Sequence, residues 1–269
     1  MNDTPSSPPD GPPPVDPGLL DAAVDILREA GELTLRHFRS RDLVIDDKAD
    51  GTPVTAADRG AERLIRERLA AAYPDDSILG EEEATHEGTS GRTWIIDPID
   101  GTKAFTHGVP LYSNLLALDD EHGPAIGVVN IPALGETVWA GRGLGCFANG
   151  EPAHVSTHHE VRDSWLMTSG LTNWTTELLH AVQRAGVHVR TWGDGYGYAM
   201  VAMGRAEAML DPGAAIWDVA PMPVIMSEAG GRFTSTDGRD GSANGSGLGT
   251  NGLVHAGLLD LIRGIGNPA

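Results

Sequence analysis

The sequence predicts a mixed α/β protein in two sub-structures, on three observations. Two segments near the N-terminus repeat apolar residues at helical spacing. A cluster of strand candidates with a hairpin signal follows, and beyond about residue 160 strands and helices alternate. A length of 269 residues with 40% hydrophobic content allows a sizeable core, as one large domain or two intimate halves.

The first sixteen residues are rich in Pro, Ser and Asp, have little to bury, and are expected to form a disordered tail. They carry neither the apolar core nor the basic leader of a signal peptide. Asp16-Pro17 reads as an N-cap followed by an N1 proline, opening a helix with Leu20, Ala23, Val24, Leu27 and Ala30 on one face. A second helix is expected over 56–72, capped by Thr55, with Ala61, Leu64, Ile65 and Leu69 as its buried stripe. Strands are expected over 93–97, 113–119, 125–131 and 136–140, and Glu121-His122-Gly123-Pro124 turns the second into the third. The later elements are a helix over 177–185, a strand over 187–192, a helix over 196–203, a strand over 206–211 and a helix after Asp218. The chain thus divides into a sub-domain over 17–155 and another over 156–269, with no internal repeat and no linker between them.

Charge and composition mainly exclude. A net charge of −19 leaves no basic face to meet phosphates, which argues against nucleic acid and anionic membranes as partners. No stretch approaches the roughly 18–20 apolar residues of a membrane span. The single cysteine, Cys146, excludes an internal disulfide, fits a reducing cytoplasm, and reads as a small buried hydrophobe. The only lysines, Lys48 and Lys103, both fall in segments assigned to the site below, although replacement of lysine by arginine through genome composition leaves the same pattern.

The most informative segment is Trp94-Ile95-Ile96-Asp97-Pro98-Ile99-Asp100-Gly101-Thr102. An apolar strand ends at Asp97, and Pro98 blocks further pairing, so the chain is expected to turn there. The turn brings Asp97 and Asp100 to one side, leaves the Ile99 carbonyl without a ladder partner, and lets Thr102 open a short helix. Two carboxylates, a carbonyl and a helix start suit a hard cation beside a phosphate. Taken alone, Asp-Pro-x-Asp-Gly is also an ordinary polar turn. It is accompanied by Ser77-Ile78-Leu79-Gly80-Glu81-Glu82-Glu83 upstream and by Trp217-Asp218 before Glu228-Ala229-Gly230-Gly231 downstream, where Asp218 alone would pass for a helix N-cap.

Together these segments resemble the inositol monophosphatase superfamily, in the family's order and over nearly the whole chain after the tail. The resemblance implies a layered αβαβα sandwich of the inositol monophosphatase / fructose-1,6-bisphosphatase type and a metal-dependent phosphoric monoester hydrolase. It implies Glu81, Asp97 and the Ile99 carbonyl as ligands of one Mg2+, Asp97, Asp100 and Asp218 as ligands of a second, and a third, weaker ion near Glu81. Asp58 and Thr102 correspond to the pair that orients and deprotonates the attacking water, and Gly101 and Thr102 to backbone donors for the phosphate. All-oxygen ligands suit Mg2+, with Mn2+ as a substitute, over zinc. A homodimer is implied by the resemblance alone. Glu82 and Glu83 receive no role and read as solvated acids, as do His154, His158 and His159 as solvated histidines.

Substrate choice is expected from Gly193-Asp194-Gly195-Tyr196-Gly197, whose spacing is not a dinucleotide fingerprint. Inositol-specific relatives carry a small hydroxyl or alanine residue where this chain has Asp194. A carboxylate there would favour a cationic substrate, as in the histidinol-phosphatase branch that this turn resembles, or would only cap the following helix. The first reading makes the substrate L-histidinol phosphate and places the enzyme in histidine biosynthesis. Other readings are an inositol-1-monophosphatase, a tailoring phosphatase for another sugar or nucleotide phosphate, and a non-catalytic metal- or phosphate-binding protein. Pro221 and Pro223 depart from the family pattern, so the helix after Asp218 is expected to start late or irregularly.

Overall fold

Two N-terminal helices set the first layer. The computed structural model describes residues 11–40, 45–47 and 53–264; Lys48 and the first ten residues of the expected tail lie outside them. Helix α1 (Pro17–His37) begins where the proline permits, with the Asp16 carboxylate accepting from Gly18 N at 2.9 Å. The chain packs before this cap: Val15 is buried and its N–H donates to Arg142 O. A two-stranded ladder of β1 (Ile45–Asp47) and β2 (Pro53–Thr55) leads into α2 (Ala56–Ala72). Both helices lay their predicted stripes on one face of a seven-stranded sheet, where Leu27, Ile65 and Leu69 meet Trp94 and Leu116. Leu64 is only partly buried at the margin. Truncating Leu27 or Ile65 to alanine would cost about 2–5 kcal/mol.

That sheet contains, in spatial order, β3 (Ser77–Gly80), β4 (Thr93–Asp100), β5 (Ser113–Asp120), β6 (Gly123–Ile131), β7 (Glu136–Gly141), β8 (Gly145–Ala148) and β9 (Glu151–Pro152). Only the β3–β4 pair is parallel. Helix α3 (Thr102–Thr106) follows β4. The second sheet is assembled from β10 (Trp165–Met167), β11 (His188–Arg190), β12 (Ala208–Asp211), β13 (Arg232–Thr234) and β14 (Gly247–Thr250), in the order β11-β10-β12-β14-β13. Helix α4 (Thr176–Arg184) and α8 (His255–Arg263) cover its outer face, with Leu178, Val182 and Leu258 against Leu166, Ala208 and Leu248. Between the sheets lie α5 (Asp194–Ala202), α6 (Ile216–Val219) and α7 (Met222–Glu228), where Tyr198, Val201 and Ile225 pack against Val129 and Val138 on one side and Met209 and Phe233 on the other. The layers are therefore helices, sheet, helices, sheet, helices. Cys146 is buried, as expected of a small hydrophobe, and burial pushes its thiol up to about 12.

One local expectation is corrected. The chain does not leave the sheet at Pro98: β4 pairs with β5 as far as Asp97, slips register, and resumes at Asp100 opposite Ser113. A bulge absorbs the proline's missing N–H, and Asn114 Nδ2 holds the Pro98 carbonyl at 2.6 Å. The late, irregular helix start expected after Asp218 is found: Asp218 lies within the four-residue α6, which breaks at Ala220-Pro221, and α7 starts at Met222 with Pro221 as its N-cap.

Candidate active site

Strand ends and helix starts from both sheets converge on a cavity of about 940 Å³. Its wall includes Glu81 just past β3, Asp97, Ile99 and Asp100 from the β4 bulge, and Gly101 and Thr102 at the start of α3. The second half contributes Gly193 and Asp194 at the start of α5 and Asp218 in α6. These are the residues that the sequence places together, with the exception of Asp58.

The bulge aims the acids. Asp97 Oδ1 accepts from Ile99 N at 3.1 Å, which folds the carboxylate back over the irregular stretch. Asp100 Oδ2 accepts from Ser113 Oγ at 3.0 Å and from the Gly195 N–H, a bond that crosses from the first sheet to α5. Only glycine fits at 195, because a Cβ there would lie 2.5 Å from Ser113 Oγ and 2.9 Å from Asp100 Oδ2. Asp218 stands in the first turn of α6, where its Oδ2 accepts from Ala215 N at 2.8 Å. Asp218 is therefore not the N-cap, which is Ala215, but the third helical residue, and the bond back to the Ala215 N–H orients its side chain.

Asp97, Asp100 and Asp218 each offer a carboxylate oxygen within 4.8 Å of the others. Asp97 is 2% and Asp100 7% exposed, so these charges have little solvent to screen them. Burial, and then the carboxylates of Glu81, Asp100 and Asp218, hold the Asp97 carboxyl well above the ordinary range. Burial, followed by Asp194 and Asp218, does the same to Asp100 against the opposing Gly195 and Ser113 hydrogen bonds. Burial raises Asp218 to about 6, opposed by the Ala215 N–H and assisted by Glu81 and Asp194. Six carboxylates line the cavity, and Lys103 is the only lysine or arginine among the described lining residues. A set of crowded, buried, all-oxygen donors so short of positive charge fits a hard divalent cation such as Mg2+ or Mn2+. Among the described residues this is the one acidic or histidine-containing group with such spacing, and His154, His158 and His159 form none.

Asp58 sits apart from the cavity wall. It is buried at the start of α2, where Oδ2 accepts from Thr55 N at 2.8 Å and Thr55 Oγ1 at 2.6 Å. Its Oδ1 is buried without a hydrogen-bond partner, and burial raises the carboxyl to about 6 against the Thr55 bonds. Thr102 donates its hydroxyl to the Ile99 carbonyl at 2.9 Å, so Asp58 and Thr102 each spend their bonds elsewhere in this structure. Packing of Ala57 with Ile99 and Phe105 sets the start of α2 beside α3.

At the substrate turn Gly193 occupies the N-cap position and Asp194 is the first helical residue, so the Asp194 carboxylate is not the cap. It lies against Gly101, where a Cβ would come within 2.7 Å of Asp194 Oδ2. Burial raises its carboxyl, opposed by Ser169 and Lys103. Two lining residues escape the sequence reading. Ser169, just past β10, accepts from Asp194 N at 3.0 Å and donates to Asp211 Oδ1 at 2.7 Å. Asp211, at the end of β12, is buried and raised to about 7, chiefly by desolvation. An acid ending a strand before Pro212-Gly213 was a readable signal for Asp211, and nothing in the sequence marks Ser169.

Known proteins resemble this chain over most of its length. The sequence pattern of the Inositol monophosphatase family matches residues 18–266. A histidinol-phosphatase of Chlorobaculum parvum is 44% identical over 85% of this chain and 90% of its own length. One from Mycobacterium tuberculosis is 40% identical over 89% of this chain and 96% of its own. The solved structure of a Thermotoga maritima IMPase superposes with a TM-score of 0.83 at 31% identity, covering 92% of this chain and 98% of that one.

Proposed function

Because the chain belongs to the inositol monophosphatase family, and is thereby a metal-dependent hydrolase of phosphate monoesters, we propose that it converts L-histidinol phosphate to L-histidinol and phosphate. The observation that carries the substrate is the Asp194 carboxylate, set against Gly101 on the cavity wall with buried Asp211 beyond Ser169. Histidinol phosphate carries an ammonium group, and a charge-assisted hydrogen bond from it to Asp194 would orient the ester. Relatives named histidinol-phosphatase support the same reading.

In this mechanism Glu81, Asp97 and the Ile99 carbonyl would hold one Mg2+, and Asp97, Asp100 and Asp218 a second, with a third, weaker ion near Glu81. Bound there, the cations supply the positive charge that the attacking and leaving oxygens require in phosphoryl transfer. Gly101 and Thr102 donate backbone N–H groups to the phosphate. Asp58 and Thr102 would act as a pair on the attacking water: the water proton would pass to the Thr102 hydroxyl, whose own proton would go to Asp58 Oδ1, which is buried and unpartnered. The Thr102 hydroxyl, which donates to the Ile99 carbonyl in this structure, would have to leave that bond to serve the water. The protein works as a homodimer in the cytoplasm, and no described helix is long and apolar enough to cross a membrane.

The test is phosphate release from histidinol phosphate, inositol 1-phosphate, fructose 1,6-bisphosphate and adenosine monophosphate, with Mg2+ and with EDTA. Magnesium-dependent turnover concentrated on histidinol phosphate is expected. Preference for inositol 1-phosphate would replace the substrate and keep the metal site, a reading favoured by the likeness to the Thermotoga maritima IMPase.

A further inference from the structure

Helix α2 carries two ridges at four-residue spacing. One is apolar (Ala57, Ala61, Ile65, Leu69) and faces the sheet. The other is polar, running Asp58, Glu62, Arg66, and its middle member is fully buried: the Glu62 side chain has 0% exposure and that of Arg66 12%. A carboxylate removed from water must be satisfied by donors, and three meet this one. Glu62 Oε2 accepts from Glu82 N at 2.8 Å, and Oε1 accepts from Glu83 N at 3.1 Å and from Arg66 Nε at 2.8 Å. Arg66 in turn donates Nη2 to the Glu83 carbonyl at 3.1 Å. The pair thus grips the backbone of the segment after β3 on its amides and on a carbonyl, immediately beyond Glu81.

Gly80 belongs to the same device. A Cβ at residue 80 would fall onto the Glu62 carboxylate and lie 2.8 Å from Arg66 Nη2, so the glycine makes room for the grip. Glu81 itself faces the acid cluster, where its charge raises both Asp97 and Asp218. Glu81 lines the cavity beside these acids. The backbone that carries it is held by Glu62, whose oxygens are occupied by N–H donors.

We propose that Glu62 is a positioning residue that fixes the segment 81–83 through the Glu82 and Glu83 amides and so sets the affinity of the cation that Glu81 holds. The proposal rests on the reading of Glu81 as a metal ligand, and its test separates the two. Mn2+ is titrated into metal-free protein and free ion is followed by paramagnetic resonance, for the unaltered protein, Glu62→Gln, Arg66→Gln and Glu81→Gln. Glutamine at 62 turns an NH2 toward one of the two backbone donors and breaks that bond while keeping the volume. Glu62→Gln is expected to weaken the tightest Mn2+ site on the order of 10- to 100-fold, the usual effect of losing a group that orients a ligand. Arg66→Gln is expected to weaken it less, and it provides the readout if Glu62→Gln does not fold. Amide exchange at Glu82 and Glu83 is expected to quicken in metal-free Glu62→Gln. A lowered melting temperature with unchanged Mn2+ affinity in both the 62 and 66 variants, beside a weakened Glu81→Gln, would overturn the positioning role and leave the metal site standing. Unchanged affinity in Glu81→Gln would overturn the ligand assignment and the proposal with it.

Discussion

Asp194 adopts a left-handed backbone, φ 54°, at the first position of α5, a conformation that aspartate tolerates better than most residues. Its neighbour Gly195 turns an N–H onto Asp100, while the Asp194 side chain stays on the cavity wall. Replacing Asp194 with asparagine keeps the volume and removes only the charge. Loss of kcat/KM on the order of 10- to 100-fold is expected for histidinol phosphate, from a weakened charge-assisted hydrogen bond, with little change for a neutral ester. Steady-state kinetics on both esters check this, and equal losses would remove the recognition role. Asp97→Asn is expected to abolish magnesium-dependent turnover while melting near or above the unaltered protein in EDTA, since one buried like charge is gone. Activity assays paired with thermal melts in EDTA decide it.

Among elements, the turn into α5 and the end of the second sheet make distinct claims. Gly195→Ala would drive a Cβ against Ser113, Leu115 and Asp100. The predicted outcome is a cost of about 1–3 kcal/mol in stability and a raised Mg2+ requirement, read by denaturant titration and by activity against Mg2+ concentration. His255 at the start of α8 bridges the second sheet, with Nε2 3.1 Å from Thr234 Oγ1 and Nδ1 3.0 Å from Thr250 Oγ1. Burial lowers its ring to about 4. Between pH 6.5 and about 4 the unfolded chain binds a proton that the folded one does not, so this residue makes stability fall as pH drops through that window. Melting temperatures at pH 7 and pH 5 should therefore differ less in His255→Gln than in the unaltered protein. Elements with a clean period were legible in the sequence, as α1 and α2 show. The β4 bulge and the break at Pro221 were legible only as irregularities, because a proline states which bond is missing and leaves open whether a strand absorbs it or ends. Short strands such as β10 and β13 have too few residues to display a period.

For the whole molecule, the acid cluster joins the first sheet to the middle helices, beside apolar contact and bonds such as those from the Gly143 and Gly145 N–H groups to Glu228. Cation binding to the folded chain alone adds about 2.7 kcal/mol at a hundred times the dissociation constant. In a chain this long that corresponds to a rise of roughly 5–11 °C in melting temperature, at about 2–4 °C per kcal/mol. Calorimetric scans over a Mg2+ series and in EDTA measure it, and a flat series would contradict the metal assignment. The candidate ligands were legible in the sequence because each motif pairs an acid with a strand end or a helix start. Ser169 and Glu62 are not legible in the sequence, because their roles come from three-dimensional neighbours that lie 42 and about 20 residues away. The bond from Gly195 N–H to Asp100 also bears on how such an enzyme changes its diet. The backbone of the turn into α5 is tied to the acid cluster, so a change of substrate that keeps this bond falls to lining side chains such as Asp194, Asp211 and the adjacent Trp192. A directed-evolution library randomising those three positions, with 193 and 195 left as glycine, samples the variation that this architecture leaves open.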